Sequence, residues 1–122
     1  FKDPVDKRTY VYTDFEPYDA NRLFPCFDQP DLKATYTLEV LAPREWTVVT
    51  SNRETTKIKR SKYRYLWKFP RSSRFSTYIF SLHAGPYRIW KSSAGKGGRI
   101  PMRLMARRSL AKHVDYKEGK IK

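Results

Sequence analysis

The sequence predicts an all-β chain, an antiparallel sheet or sandwich, and three features carry that expectation. Several runs alternate apolar and polar residues with a period of two, the pattern of strands that bury one face. Turn-forming residues punctuate those runs at short intervals: Ala42-Pro43, Ser51-Asn52, Pro70 to Ser73, Gly85-Pro86 and Gly95 to Gly98. Only two short segments depart toward helix.

Taken in chain order, Tyr10 to Tyr12 is the first β-rich run. The stretch that follows, YTDFEPYDANRLFPCFDQPDLKATY (residues 12–36), is acidic and aromatic and is broken by Pro17, Pro25 and Pro30. Within it, residues 19–24 read as a short helical turn, with Asp19 as N-cap and Pro25 ending it. Residues 34–40 put Ala34, Tyr36, Leu38 and Val40 on one face and Thr35, Thr37 and Glu39 on the other. Thr47 to Thr50 is a short β-branched run. Residues 62–69 place Tyr63, Tyr65, Trp67 and Phe69 against Lys62, Arg64, Leu66 and Lys68, so Leu66 alone is apolar on the charged side. Tyr78 to Leu82 and Tyr87 to Trp90 are shorter β-rich runs. Residues 100–106 set Ile100, Met102, Leu104 and Ala106 opposite Pro101, Arg103 and Met105. Ser109 then stands as the cap of a second helical segment starting at Leu110 and stopping at a charged tail.

At 122 residues the chain is one domain's worth or a piece of one, and its start at Phe1 rather than Met reads as a processed product or a partial chain. Hydrophobic residues make up 39% and aromatics 16%, enough for a core because each ring buries a large apolar area. No stretch approaches the ~20 apolar residues of a membrane helix. Charge is split along the chain. Residues 1–43 hold five Lys or Arg against eight Asp or Glu, a net of −3. Residues 44–122 hold twenty-one against four, a net of +17. A basic half of that size suits nucleic acid, an acidic partner, or a solvated face beside an acidic neighbour.

Catalytic chemistry is sparse. The one cysteine, Cys26, cannot form an internal disulfide or a metal site alone, and without a nearby His or Lys it reads as a small buried hydrophobe. His83 and His113 share no metal-ligand spacing, and no HExxH sequence is present. The carboxylates Asp14, Glu16, Asp19, Asp28 and Asp31 are capable of acid–base work but have no nucleophile–base pair beside them. Interleaved rings and cations in KYRYLWKF could stack bases and meet phosphates, as in a stand-alone nucleic-acid-binding β module. Strand alternation instead turns those rings inward, where they serve as core.

The 12–36 stretch resembles the aminopeptidase N family, the zinc gluzincin aminopeptidases, whose members carry T-Q-x-E-P-x-D-A-R-x-x-F-P-C-F-D-E-P-x-x-K-A. Thr13, Glu16, Pro17, Asp19-Ala20, Phe24 to Asp28, Pro30 and Lys33-Ala34 match it, with Arg22 one place beyond the pattern's Arg. FKDPVD at the start and STYIFSLHAGPY at residues 76–87 are similar to flanking strands of the same family. The resemblance implies a saddle-shaped antiparallel N-terminal domain, here truncated at both ends. Residues 1–106 would be part of that β domain, and residues 107–122 the start of the connection to a missing catalytic domain. It implies that zinc is bound in the parent enzyme, outside this chain, and that the substrate is a peptide with a free N-terminus. Glu16 occupies the position whose carboxylate binds the substrate α-amine. Asp14 stands where most members have Gln, two residues away on the same side of an extended chain. Pro17, Arg22, Asp28 and Lys33 would hold the loop's shape.

Overall fold

In the computed structural model, which describes residues 1–117 and 120–121, the protein is mostly β, with antiparallel pairings and helical content confined to short 3-10 turns. The chain divides into two compact units: Phe1 with Tyr10–Gly85, and Lys2–Thr9 with Pro86–Lys122.

The first unit contains β1 (Val11–Tyr12), β2 (Lys33–Ala34), β3 (Glu39–Pro43), β4 (Thr47–Thr50), β5 (Thr56–Lys59), β6 (Arg64–Lys68), β7 (Phe75–Ser76) and β8 (Leu82–Gly85). They form sheets ordered β1-β8-β4, β2-β7 and β3-β6-β5. The expected strand at 34–40 is divided: Lys33–Ala34 pairs with β7 and Glu39–Pro43 pairs with β6. Between them the chain stays extended but is held otherwise. Tyr36 N–H donates to Ser72 Oγ at 3.0 Å and Ser72 N–H returns to Tyr36 O at 2.9 Å. From Tyr36 on the inward face follows the alternation, with Tyr36, Leu38 and Val40 half-buried and Thr35, Thr37 and Glu39 exposed, but Ala34, expected on that face, is exposed in its short pairing with β7.

Two clusters form this unit's core. One gathers Ala42, Val48, Trp67, Phe69 and Ala84; the other gathers Phe15, Ala20 and Phe80. Leu38 and Leu82 pack against both. Tyr10 is buried against Gly85, where an added Cβ would lie 2.5 Å from Tyr10 Cδ1, so the ring packs where only a hydrogen fits.

Several expectations shift. The run at 62–69 becomes β6 over Arg64–Lys68; Trp67 and Phe69 are buried as expected, but Tyr63 is 70% exposed and Leu66 is buried. Strand β5 at Thr56–Lys59 went unpredicted because all four of its residues are exposed and give no apolar alternation. The run expected at 78–82 is a 3-10 turn at Thr77–Ile79 followed by β8.

In the second unit β9 (Arg88–Ala94) and β10 (Ile100–Ala106) pair along their full length, and β11 (Tyr116–Lys117) pairs with β12 (Lys120–Ile121). Positive-φ glycines at 95, 97 and 98 turn the chain between β9 and β10, a conformation L-residues disfavour. Ser109 is not a helix cap. It lies inside a 3-10 turn at Arg108–His113, and its hydroxyl donates to Asp3 Oδ2 at 2.7 Å. Asp3 also accepts from Val5 N–H at 2.9 Å and Arg107 Nη1 at 3.0 Å; the Ser109 bond first, then these donors, hold its carboxyl below the ordinary carboxylate range against the opposing effect of burial. A buried carboxylate with several donors is a better local organiser than a lone cap.

Candidate functional site

The acidic loop is anchored at its entrance by Thr13. Its N–H donates to Leu82 O at 3.1 Å, and its Oγ1 accepts from Leu82 N–H at 2.9 Å. The chain then leaves β1 and enters a turn at Glu16, and burial alternates along the way. Phe15 points in, meets Phe24 edge-on at 6.3 Å and stacks on Phe80 at 6.1 Å. Asp14 and Glu16, on either side of it, are exposed. The buried ring fixes the backbone, and the two carboxylates are thereby presented outward.

The return of the loop is equally constrained. Asp19 N–H donates to Phe15 O at 3.0 Å, and Ala20–Arg22 forms a 3-10 turn with Ala20 fully buried. Asp19 sits at the N-cap position, but its side chain makes no cap bond; it pairs instead with Arg22 Nε at 3.1 Å. Asp28 acts across a longer span. Its Oδ2 accepts from Asn21 N–H at 3.1 Å and Asn21 Nδ2 at 2.9 Å, and its Oδ1 accepts from Thr77 Oγ1 at 2.6 Å. The Thr77 bond, followed by the Asn21 donors, holds the Asp28 carboxyl below the usual range despite some burial. Ser76 Oγ donates to Pro30 O and closes the last turn of the loop.

Cys26 is half-buried and packs against the Phe15 cluster. Burial, and then the Asp28 charge, push its thiol upward, so the neutral form is favoured. His83 lies on β8 opposite Tyr12 and Val49, and His113 lies in the second unit. Among the described residues no three of His, Cys, Asp and Glu gather closely enough to hold a metal ion. Zinc thus has no fitting donor set among the described residues.

Of the residues singled out in sequence, Asp14 and Glu16 are brought side by side, with Glu16 N–H 3.5 Å from Asp14 Oδ1. The Glu16 carboxylate enters no ion pair among the described residues. Asp19 and Asp28, by contrast, are engaged within the loop. The pairing of Asp28 with Thr77 was not foreseeable, because a threonine 49 residues away carries no local signal. The rings of KYRYLWKF do not form a stacking platform: Trp67 and Phe69 are buried, and Lys57 Nζ lies 4.3 Å over the Trp67 ring and 4.7 Å over Tyr65.

Residues 1–79 match the family described as Peptidase M1 N-terminal domain. The chain belongs to that family. Among its relatives, aminopeptidase N of Streptomyces lividans is 44% identical over 116 residues, covering 94% of this chain and 13% of that protein. Probable M1 family aminopeptidase 1 of Encephalitozoon cuniculi is 40% identical over 87 residues, covering 70% of this chain and 10% of that protein. Glutamyl aminopeptidase of Mus musculus is 31% identical over 114 residues, covering 89% and 11% respectively. The chain thus spans about a tenth of the length of these relatives.

Proposed function

We propose that this chain works as the N-terminal domain of a zinc-dependent aminopeptidase that removes N-terminal residues from peptides. In that reading its acidic loop binds the substrate's free α-amine. The observation that carries the reading is the division of labour among the loop carboxylates. Asp19 and Asp28 are engaged in holding the loop, whereas the Glu16 carboxylate is exposed and has no ion-pair partner among the described residues. A carboxylate held out on a pinned backbone is already oriented for a cation, so little ordering entropy opposes the contact. An ammonium is a fitting cation because it forms a charge-assisted hydrogen bond with a carboxylate. Internal peptide bonds carry no such charge, which is the chemical basis for selecting free N-termini.

Asp14 adds a second negative charge beside Glu16 and raises the local attraction for a cation. Its side chain is one methylene shorter, and its oxygen lies near the Glu16 N–H, so Glu16 is the principal anchor. Zinc would be held by ligands in other parts of the longer protein, and peptide hydrolysis would take place there. The part assigned to this chain is to bind and orient the amine.

In the longer protein, Glu16→Gln is expected to weaken a competitive inhibitor that carries a free α-amine by roughly ten- to a hundredfold. That range corresponds to about 1.5–3 kcal/mol for a hydrogen bond to a charged group. The same inhibitor lacking the amine should bind both forms alike. An equal loss for both inhibitors would assign Glu16 to the structure of the loop.

A further inference from the structure

The outward face of the β3-β6-β5 sheet has an order that its sequence did not reveal. Register places Leu41 opposite Leu66 and Leu66 opposite Ile58, so three aliphatic side chains stand in one row across three strands. Leu41 is 51% exposed and Ile58 40%, with Leu66 buried between them. The next row on one side is Glu39–Lys68–Thr56, in which Lys68 Nζ is already paired with Glu39 at 2.6 Å. On the other side Pro43 faces Arg64, and Arg60, one residue beyond β5, donates its N–H to Arg64 O at 3.1 Å, which puts the two arginines side by side on the hairpin. Arg44, Lys62 and Arg64 line a shallow cleft of about 360 Å³ at that end, with Pro43, Glu45 and the exposed Tyr63. None of Arg44, Arg60, Lys62 and Arg64 forms an ion pair among the described residues, although Glu45 lines the same cleft.

We propose that this face docks an acidic amphipathic helix of a partner polypeptide. Neighbouring strands lie about 4.8 Å apart, so the Leu41–Leu66–Ile58 row spans roughly 10 Å. Two turns of an α-helix advance about 10.5 Å, so a helix lying across the strands sets its i, i+4 and i+7 side chains along the row. The adjacent row lies about 7 Å away, within reach of Glu or Asp side chains on the helix flank. Charge complementarity selects which flank. Arg60 and Arg64 stand side by side as like charges, an arrangement that costs stability until an anion joins them, whereas the Glu39–Lys68 side is already neutral. The edge lysine Lys57 is occupied on the opposite face, over Trp67 and Tyr65, and so does not account for the arginine pair. A nucleic acid would use the cations but gain little from an aliphatic row, which is why a polypeptide is the better fit.

The test uses the full 122-residue chain and a fluorescent 14-residue helical peptide with Leu at i, i+4 and i+7 and Glu along one flank. Anisotropy is expected to show saturable binding, weakened at least tenfold by Arg60→Glu with Arg64→Glu, and similarly by Leu41→Ser with Ile58→Ser. Far-UV circular dichroism follows the folding of each variant, and Arg60→Gln with Arg64→Gln gives a milder charge loss, expected to weaken binding by severalfold. Equal binding of a scrambled peptide of the same composition would overturn the proposal. So would stronger capture of a single-stranded oligonucleotide or of anionic phospholipid vesicles, or binding left unchanged by both pairs of substitutions.

Discussion

The acidic loop of residues 12–36 and the basic β3-β6-β5 sheet lie in the same compact unit, yet charge has opposite roles in them. In the loop there is little backbone ladder to define shape, so polar side chains supply it: Asp28 ties Asn21 to Thr77, Asp19 ties Arg22, and Thr13 ties Leu82. In the sheet the ladder and the Trp67–Phe69 core define shape, and the charges are left at the surface: Glu39 pairs with Lys68, while Arg64 forms no ion pair among the described residues. A charge that folds the chain is recognised by its donors, and a charge available for binding by their absence. The exposed Glu16, in no ion pair among the described residues, is proposed to be of the second kind although it sits among residues of the first.

Breaking the loop should therefore cost more than altering the sheet surface. The largest expected effect is Phe15→Ala, which removes the ring packed between Phe24 and Phe80 and should lower stability by about 3–5 kcal/mol in denaturant unfolding. Gly85→Ala comes next, because its methyl group would overlap the buried Tyr10 ring; overpacking of this kind costs about 1–3 kcal/mol. If the Tyr10 ring turned aside without loss of melting temperature, the packing account of the AGPY sequence would fail.

Asp28→Asn sharpens the comparison through pH. The folded Asp28 carboxyl lies below its ordinary value of 3.8, so its stabilisation is fully present above that value and disappears as pH falls through the folded one. The substituted chain should be less stable at neutral pH, and the gap should narrow on acidification below about pH 4. A gap that stays constant with pH would show that the amide simply packs badly. The smallest effect is expected for Arg22→Ala. Its ion pair with Asp19 is largely exposed, so screening leaves it worth about 0–1 kcal/mol.

The two regions also differ in how far sequence made them legible. Inward-facing runs announced themselves, because Trp67 and Phe69, or Tyr36 and Leu38, alternate with more exposed neighbours, although Tyr36 and Leu38 fall between two strands rather than in one. Strand β5 did not, since an exposed edge strand such as TKIK imposes no apolar period. The proposed amine anchor could be named from its local motif. The pairings that hold it could not, because Thr77 and Leu82 come from distant parts of the chain and are brought in only by the fold. Ser109 looked like a cap for the same reason: short-range rules suggested a helix start, while Asp3, more than a hundred residues earlier, takes its hydroxyl. The aliphatic row on β3-β6-β5 depends wholly on register and is invisible until the strands are paired.

The central proposal is that the exposed Glu16 carboxylate, which forms no ion pair among the described residues, anchors a substrate amine. It is tested most directly by kcat/KM in the longer protein for a matched pair of substrates, one with a free N-terminal amine and one N-acetylated, before and after Glu16→Ala. With Glu16 as the anchor, the preference for the free amine is expected to fall by roughly ten- to a hundredfold, with part of the loss in kcat because an amine anchor would also position the scissile bond. Asp14→Ala should reduce the same preference less. An unchanged preference after Glu16→Ala would contradict the account and leave the acidic loop as scaffold alone.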